Sequence, residues 1–206
     1  MADDLPINFP LPPESAIASY DYTDLIDGEG KVRYNLYLSR DDSGTEYILG
    51  KDTPYSADID IGDSDTAFEY NFDTGEFTSK RIIGGTATVN MAVYVSAGAT
   101  TGTLTFRAIH YDGSSETEIG TWTSANLASG AGVVIHDIVA KIPLSTKTFK
   151  RGDLFRLEIV WASLINKIVE FGVDPQNRDG DYLTPTARPE SDFTASYIEI
   201  PFRIER

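Results

Sequence analysis

Apolar residues recur at every second position in one segment after another between Thr86 and Ile204, and stripes of helical spacing are almost absent between them. Ala87, Val89, Met91, Val93 and Val95 share one side of an extended segment while Thr86, Thr88, Asn90 and Tyr94 take the other, as a half-buried β-strand requires. The alternation returns in Leu104, Phe106 and Ala108, in Ile138, Ala140, Ile142 and Leu144, in Phe155, Leu157, Ile159 and Trp161, and in Ile198, Ile200, Phe202 and Ile204. Such a chain is an all-β protein, a sandwich or a barrel.

A length of 206 residues suits one large β-domain, which would bury roughly 70% of the surface its unfolded chain exposes. Hydrophobic residues make up 41% and aromatic residues 11%, too much apolar surface for a disordered chain. The absence of cysteine removes disulfides, thiolate metal sites and cysteine nucleophiles, and leaves the compartment open. Thirty-two acidic against 17 basic residues give a net charge of −15, so the average surface repels phosphate and nucleic acid is not an expected partner. The start, Met1-Ala2-Asp3-Asp4-Leu5-Pro6, has neither the positive region nor the apolar core of a signal peptide. No apolar run approaches the roughly 20 residues that span a bilayer, and no membrane location is expected.

Residues 1–19 carry Pro6, Pro10, Pro12 and Pro13 among Ile7, Phe9 and Leu11, and proline withholds the donors a central strand needs. They read as an extended N-terminal arm, with residues 20–206 as a single β-domain. A solvated tail is the commoner fate of a terminus, but three large apolar residues so close together favour a strap that binds the domain or a neighbouring subunit. Asp41-Asp42-Ser43-Gly44 predicts a hairpin turn, Gly84-Gly85 the opening of the long strand, Asp112-Gly113 a tight turn, and Lys150-Arg151-Gly152-Asp153 a turn into Leu154. Asn126 to Gly132 reads as a loop, and Ser163 to Val169 as strand.

Candidate sites each compete with a plainer explanation. Asp174, Asn177, Asp179 and Asp181 gather the hard oxygen ligands that Ca²⁺ takes, but they lack the closing glutamate of an EF-hand, and Arg178 opposes a cation. A long β-loop uses the same residues merely to bend, so no cofactor is expected unless Ca²⁺ fills this loop. Asp58, Asp60, Asp63 and Asp65 read as a wet outer face. His110 and His136 are the only histidines, without zinc-hydrolase spacing, and Asp137 on a strand points away from its neighbour His136. There is no G-x-S-x-G elbow, and no carboxylate pair can be located as a catalyst. Tyr111, Trp122 and Tyr182, if outward, would stack on a glycan or pack against a partner.

Three phrases resemble a group of tailed-bacteriophage virion proteins: Ile17-Ala18-Ser19-Tyr20-Asp21-Tyr22-Thr23-Asp24, Phe171-Gly172-Val173-Asp174-Pro175-Gln176-Asn177-Arg178, and Ile200-Pro201-Phe202-Arg203-Ile204. The resemblance implies an antiparallel, jelly-roll-like β-sandwich with its extended arm, acting as a capsid decoration, head fibre or tail accessory protein. The implied protein is not an enzyme. It would assemble in the host cytoplasm, reside in the virion, and bind other capsid or tail subunits as a homo-oligomer, a trimer being the form the resemblance implies, with Ile7, Phe9 and Leu11 as the gripping residues. The alternative is a β-sandwich module that binds carbohydrate or a host receptor.

Overall fold

The computed structural model describes residues 18–19, 29–41, 44–51, 60–63, 67–95, 101–128, 134–163, 169–172 and 196–203. All regular elements among them are strands. In chain order these are β1 (Ala18–Ser19), β2 (Glu29–Asp41), β3 (Gly44–Gly50), β4 (Asp60–Asp63), β5 (Ala67–Thr74), β6 (Arg81–Val95) and β7 (Thr101–Tyr111). There follow β8 (Glu116–Thr123), β9 (Leu127–Ala128), β10 (Val134–Phe149), β11 (Leu154–Ser163), β12 (Val169–Gly172) and β13 (Tyr197–Arg203).

The alternating residues fill the interior as their spacing requires. Ala87, Val89, Met91, Val93 and Val95 have no exposed surface, nor do Leu104, Phe106, Phe155, Leu157, Ile159 and Trp161. Each large side chain enclosed in this way contributes roughly 1.5–3 kcal/mol by leaving water, before conformational entropy is set against it. β2 and β3 pair up to Asp41 opposite Gly44, the predicted hairpin. The long strand starts earlier than expected: β6 already runs from Arg81, and Gly84-Gly85 lies within it. The predicted loop after Asn126 holds the two-residue strand β9, which pairs with β7.

The sandwich of jelly-roll type is corrected. Among the described residues nine strands form one continuous ladder in the order β10-β6-β13-β2-β3-β5-β11-β7-β8, an all-β barrel that nearly closes. Two features turn the would-be sandwich into a ring. β3 and β5 pair in parallel, Ile48 opposite Asp73 and Leu49 opposite Thr74, which joins what would otherwise be separate sheets. β8 then folds back against β10 without a ladder: a Cβ built on Gly120 would lie 2.5 Å from the Pro143 carbonyl oxygen and 2.8 Å from Leu144 Cδ2. Only glycine permits that approach. Inward and outward alternation is the same in a sandwich and a barrel, so periodicity could not choose between them.

Candidate functional site

Charged side chains divide sharply between two regions of the barrel. On the outer face of β5, β11, β7 and β8, cross-strand neighbours of opposite sign meet in register. Arg156 stands opposite Asp73 and grips it with two hydrogen bonds, Nε at 2.6 Å and NH2 at 2.7 Å, while its NH1 donates to Glu116. Arg107 stands opposite Glu158, donates to it through NH1, and donates to Glu118 through Nε at 2.8 Å. These bonds hold both guanidinium groups above their usual range, although burial opposes the charge. Glu158 is almost fully enclosed, and burial followed by repulsion from Glu69 raises its carboxyl pKa against the pull of Arg107.

Inside, a histidine and an aspartate meet from 43 positions apart. His110, at the end of β7, and Asp153, in the turn before β11, are both buried, with Nε2 2.6 Å from Oδ2. Burial disfavours the Asp153 carboxylate, but the His110 hydrogen bond and the Lys150 amide at 2.7 Å prevail and keep its pKa below the ordinary value. A carboxylate only accepts, so Nε2 carries the proton and donates. Nδ1 is buried without a partner. A catalytic imidazole turns one nitrogen to a carboxylate and the other to the nucleophile or substrate. Here the second nitrogen is enclosed, and the imidazole packs edge-on to the Phe149 ring with centres 4.5 Å apart, so this pair is a structural clamp.

The clamp positions a cleft. Gly152, at φ 92°, lets the chain turn tightly into Asp153. That turn is tied to the segment between β5 and β6 by two reciprocal backbone bonds of 2.9 Å, Phe77 N to Asp153 O and Gly152 N to Phe77 O. Phe77 then packs edge-on to Phe149 and to Phe202. Phe77 and Phe202, with Val32 and Ile82, supply the apolar part of a cleft of about 520 Å³ at the barrel end where β2 and β6 begin and β13 finishes. Among the described residues, Lys51, Lys80, Arg81 and Arg203 also line it, against a single carboxylate, Glu76. Four cations to one anion reverse the balance of a chain whose net charge is −15. Tyr34 lines the same cleft, and burial, opposed by the charge of Arg81, pushes its phenol up to about 12, so the hydroxyl stays protonated. The cleft is thus chemically suited to an anion with an apolar body.

The sequence candidates fall elsewhere. Tyr111 is half-buried beneath the Arg156 guanidinium, 4.9 Å from its ring centre. Trp122 stacks on Phe106 at 5.7 Å and packs against the core. His136 and Asp137 do differ in exposure, the first half-buried and the second exposed. Ile7, Phe9 and Leu11 of the arm, Tyr182, and the Ca²⁺ candidates Asp174, Asn177, Asp179 and Asp181 lie outside the described residues. Among the described residues, no group of three or more His, Cys, Asp or Glu side chains could hold a metal ion. The cleft cations come from three separated stretches of chain, Lys51, Lys80-Arg81 and Arg203, and no local spacing marks them.

No protein-family model and no curated protein matches the chain by sequence. By fold, the barrel is similar to part of two larger proteins. A CocE/NonD family hydrolase from Staphylococcus aureus matches with a TM-score of 0.54 and 13% identity, over 83% of this chain and 36% of that one. An aminopeptidase from the marine sediment archaeon Thaumarchaeota archaeon matches with a TM-score of 0.51 and 9% identity, over 84% of this chain and 37% of that one. The chain therefore spans just over a third of the length of the proteins whose fold it shares.

This finding corrects the phage reading. The resemblance rested on three short phrases, two of them largely outside the described strands, whereas the fold likeness runs through most of the chain and leads to a hydrolase and an aminopeptidase. The expectation of a non-enzymatic decoration, fibre or tail protein is set aside. With it go virion subunits as partners, a homo-oligomer built through them, a place in the virion, and the alternative of a carbohydrate- or receptor-binding module.

Proposed function

We propose that the chain serves in a hydrolytic enzyme acting on acyl bonds, peptide amides among them, as the β-barrel that holds substrate beside the bond-breaking groups. The observation that carries this reading is the fold likeness to a hydrolase and an aminopeptidase over more than four-fifths of the chain. The enclosed His110–Asp153 pair supports a division of labour: its free nitrogen reaches no substrate, so the nucleophile and its base belong outside the described barrel. Fold alone does not fix chemistry, and the reading therefore turns on turnover.

The test uses the protein isolated from its source with whatever polypeptide accompanies it, assayed on aminoacyl p-nitroanilides and on p-nitrophenyl esters. Hydrolysis is expected, with rates unchanged by His110→Gln in any variant that remains folded. Failure to hydrolyse any member of either series would refute the proposal.

A further inference from the structure

We propose that the cleft at the end of the barrel is a binding site for a small monoanionic carboxylate with an aromatic or branched apolar body. The inference rests on the cleft alone and is independent of the hydrolytic reading.

The two halves of the lining call for the two halves of such a ligand. Arg81 and Lys51 are exposed on the cleft, and among the described residues neither forms an ion pair with a carboxylate. Lys51 Nζ lies 5.7 Å from the centre of the Tyr34 ring, which brings cation and phenol to one wall. A guanidinium offers a planar fork that matches a carboxylate, and an ammonium adds a point charge beside it. The Phe77 and Phe202 rings, perpendicular with centres 6.2 Å apart, present both a face and an edge to an apolar body. Charge matching sets the valence: Lys80 and Arg203 have interactions of their own, and Lys51 and Arg81 set against Glu76 leave one positive charge, which a single carboxylate neutralises and a phosphate dianion exceeds. A volume near 520 Å³ is ample for a phenyl ring with a short acid side chain. The site is built into the frame, because the Phe77 backbone is tied to the turn that His110 and Asp153 clamp.

The experiment is a titration of the ¹⁵N-labelled full chain with 3-phenylpropionate, followed by amide resonances. Saturable shifts are expected at Gly75, Phe77, Ile82 and Arg203, with a dissociation constant of about 1 mM or tighter. The uncharged 3-phenylpropionamide should bind at least about tenfold more weakly, and raising salt should weaken only the acid. Arg81→Gln should cost about tenfold in affinity, and Thr78→Glu, which adds a second carboxylate to the lining, should cost at least as much. Equal binding of acid and amide, shifts confined to other parts of the barrel, or tighter binding of phenyl phosphate would each overturn the assignment. So would full affinity in folded Arg81→Gln and Thr78→Glu, whose spectra show separately whether each variant is intact. These readouts require no hydrolysis, so failure here and failure of the enzymatic reading are distinct results.

Discussion

The outer face of β5, β11, β7 and β8 and the cleft at the barrel end use the same kinds of cation in opposite ways. On the face, Arg107 and Arg156 stand opposite carboxylates in adjacent strands, and each bonds to two of them. In the cleft, Arg81 and Lys51 have no carboxylate partner among the described residues, and Glu76 is the only acidic group on the lining. A cation matched in register stitches strands together. A cation gathered with others in a concave place keeps its field for something that comes from solution. The sign of the net charge sharpens the difference, since an acidic chain has ample carboxylates with which to pair Arg81 and Lys51.

The largest effect should come from breaking the ladder at its most enclosed point. Arg107→Ala strands the buried Glu158 carboxylate and should cost about 3 kcal/mol, a value at the low end for a buried pair because the arginine itself is partly exposed. Thermal denaturation measures it, and a loss no larger than that of a surface substitution would dissolve the distinction between the two regions. Gly120→Ala should cost about 2 kcal/mol by forcing β8 away from the Pro143 carbonyl, with chemical denaturation as the readout.

A smaller change separates the clamp from the cleft it supports. Asp153→Asn should cost about 1.5 kcal/mol through weakened bonds to His110 and Lys150, and should speed amide exchange at Phe77 and Gly152. By contrast Arg81→Gln should change stability by less than about 0.5 kcal/mol, because it leaves no charge buried and unpaired. A larger loss would mean that Arg81 belongs to the frame and not to the cleft. The smallest effect lies in acid. Asp112 accepts from the amides of Ser114 and Ser115 and from the Ser114 hydroxyl, bonds that lower its pKa from 3.8 to about 2 despite slight desolvation. Its folded value is the lower one, so its support for the turn is complete above the ordinary carboxylate range and fades as the pH falls through about 2. Exchange at Ser114 and Ser115 should quicken over that interval, and Asp112→Asn should remove the dependence.

Much of the wall was legible in the sequence, because a strand buried on one side must alternate, and the residues chosen on that ground from β6, β7, β10, β11 and β13 are enclosed, save Phe202, which is half-buried, and Ile204, which lies outside the described residues. The closure was not legible. Parallel pairing of Ile48 with Asp73 joins segments 25 positions apart, and nothing in either segment names the other. Gly120 offered a faint signal as a lone glycine within a strand pattern, a mark of close backbone approach. The site was less legible still. His110 meets Asp153 because β7 and β11 pair with His110 opposite Phe155, and the cleft gathers Lys51, Arg81 and Arg203 from three strand ends. Local spacing records helices, turns and motifs within one element, whereas this site is a product of topology. The phage-like phrases misled for the matching reason: short runs of turn and strand residues recur in unrelated β-proteins, while this barrel shares its fold with the hydrolase and the aminopeptidase at 13% and 9% identity.

The contact between β8 and β10 has a consequence for how the molecule comes apart. A barrel whose circumference is stitched everywhere else by ladder bonds, but closed here by side-chain and glycine packing, has a zipper with one open end. Rupture should start at that join, peeling β8 outward from β7 while the opposite wall of β6, β13 and β2 still stands, so the shortest-lived deuterium protection in the ring belongs to Thr117 through Trp122.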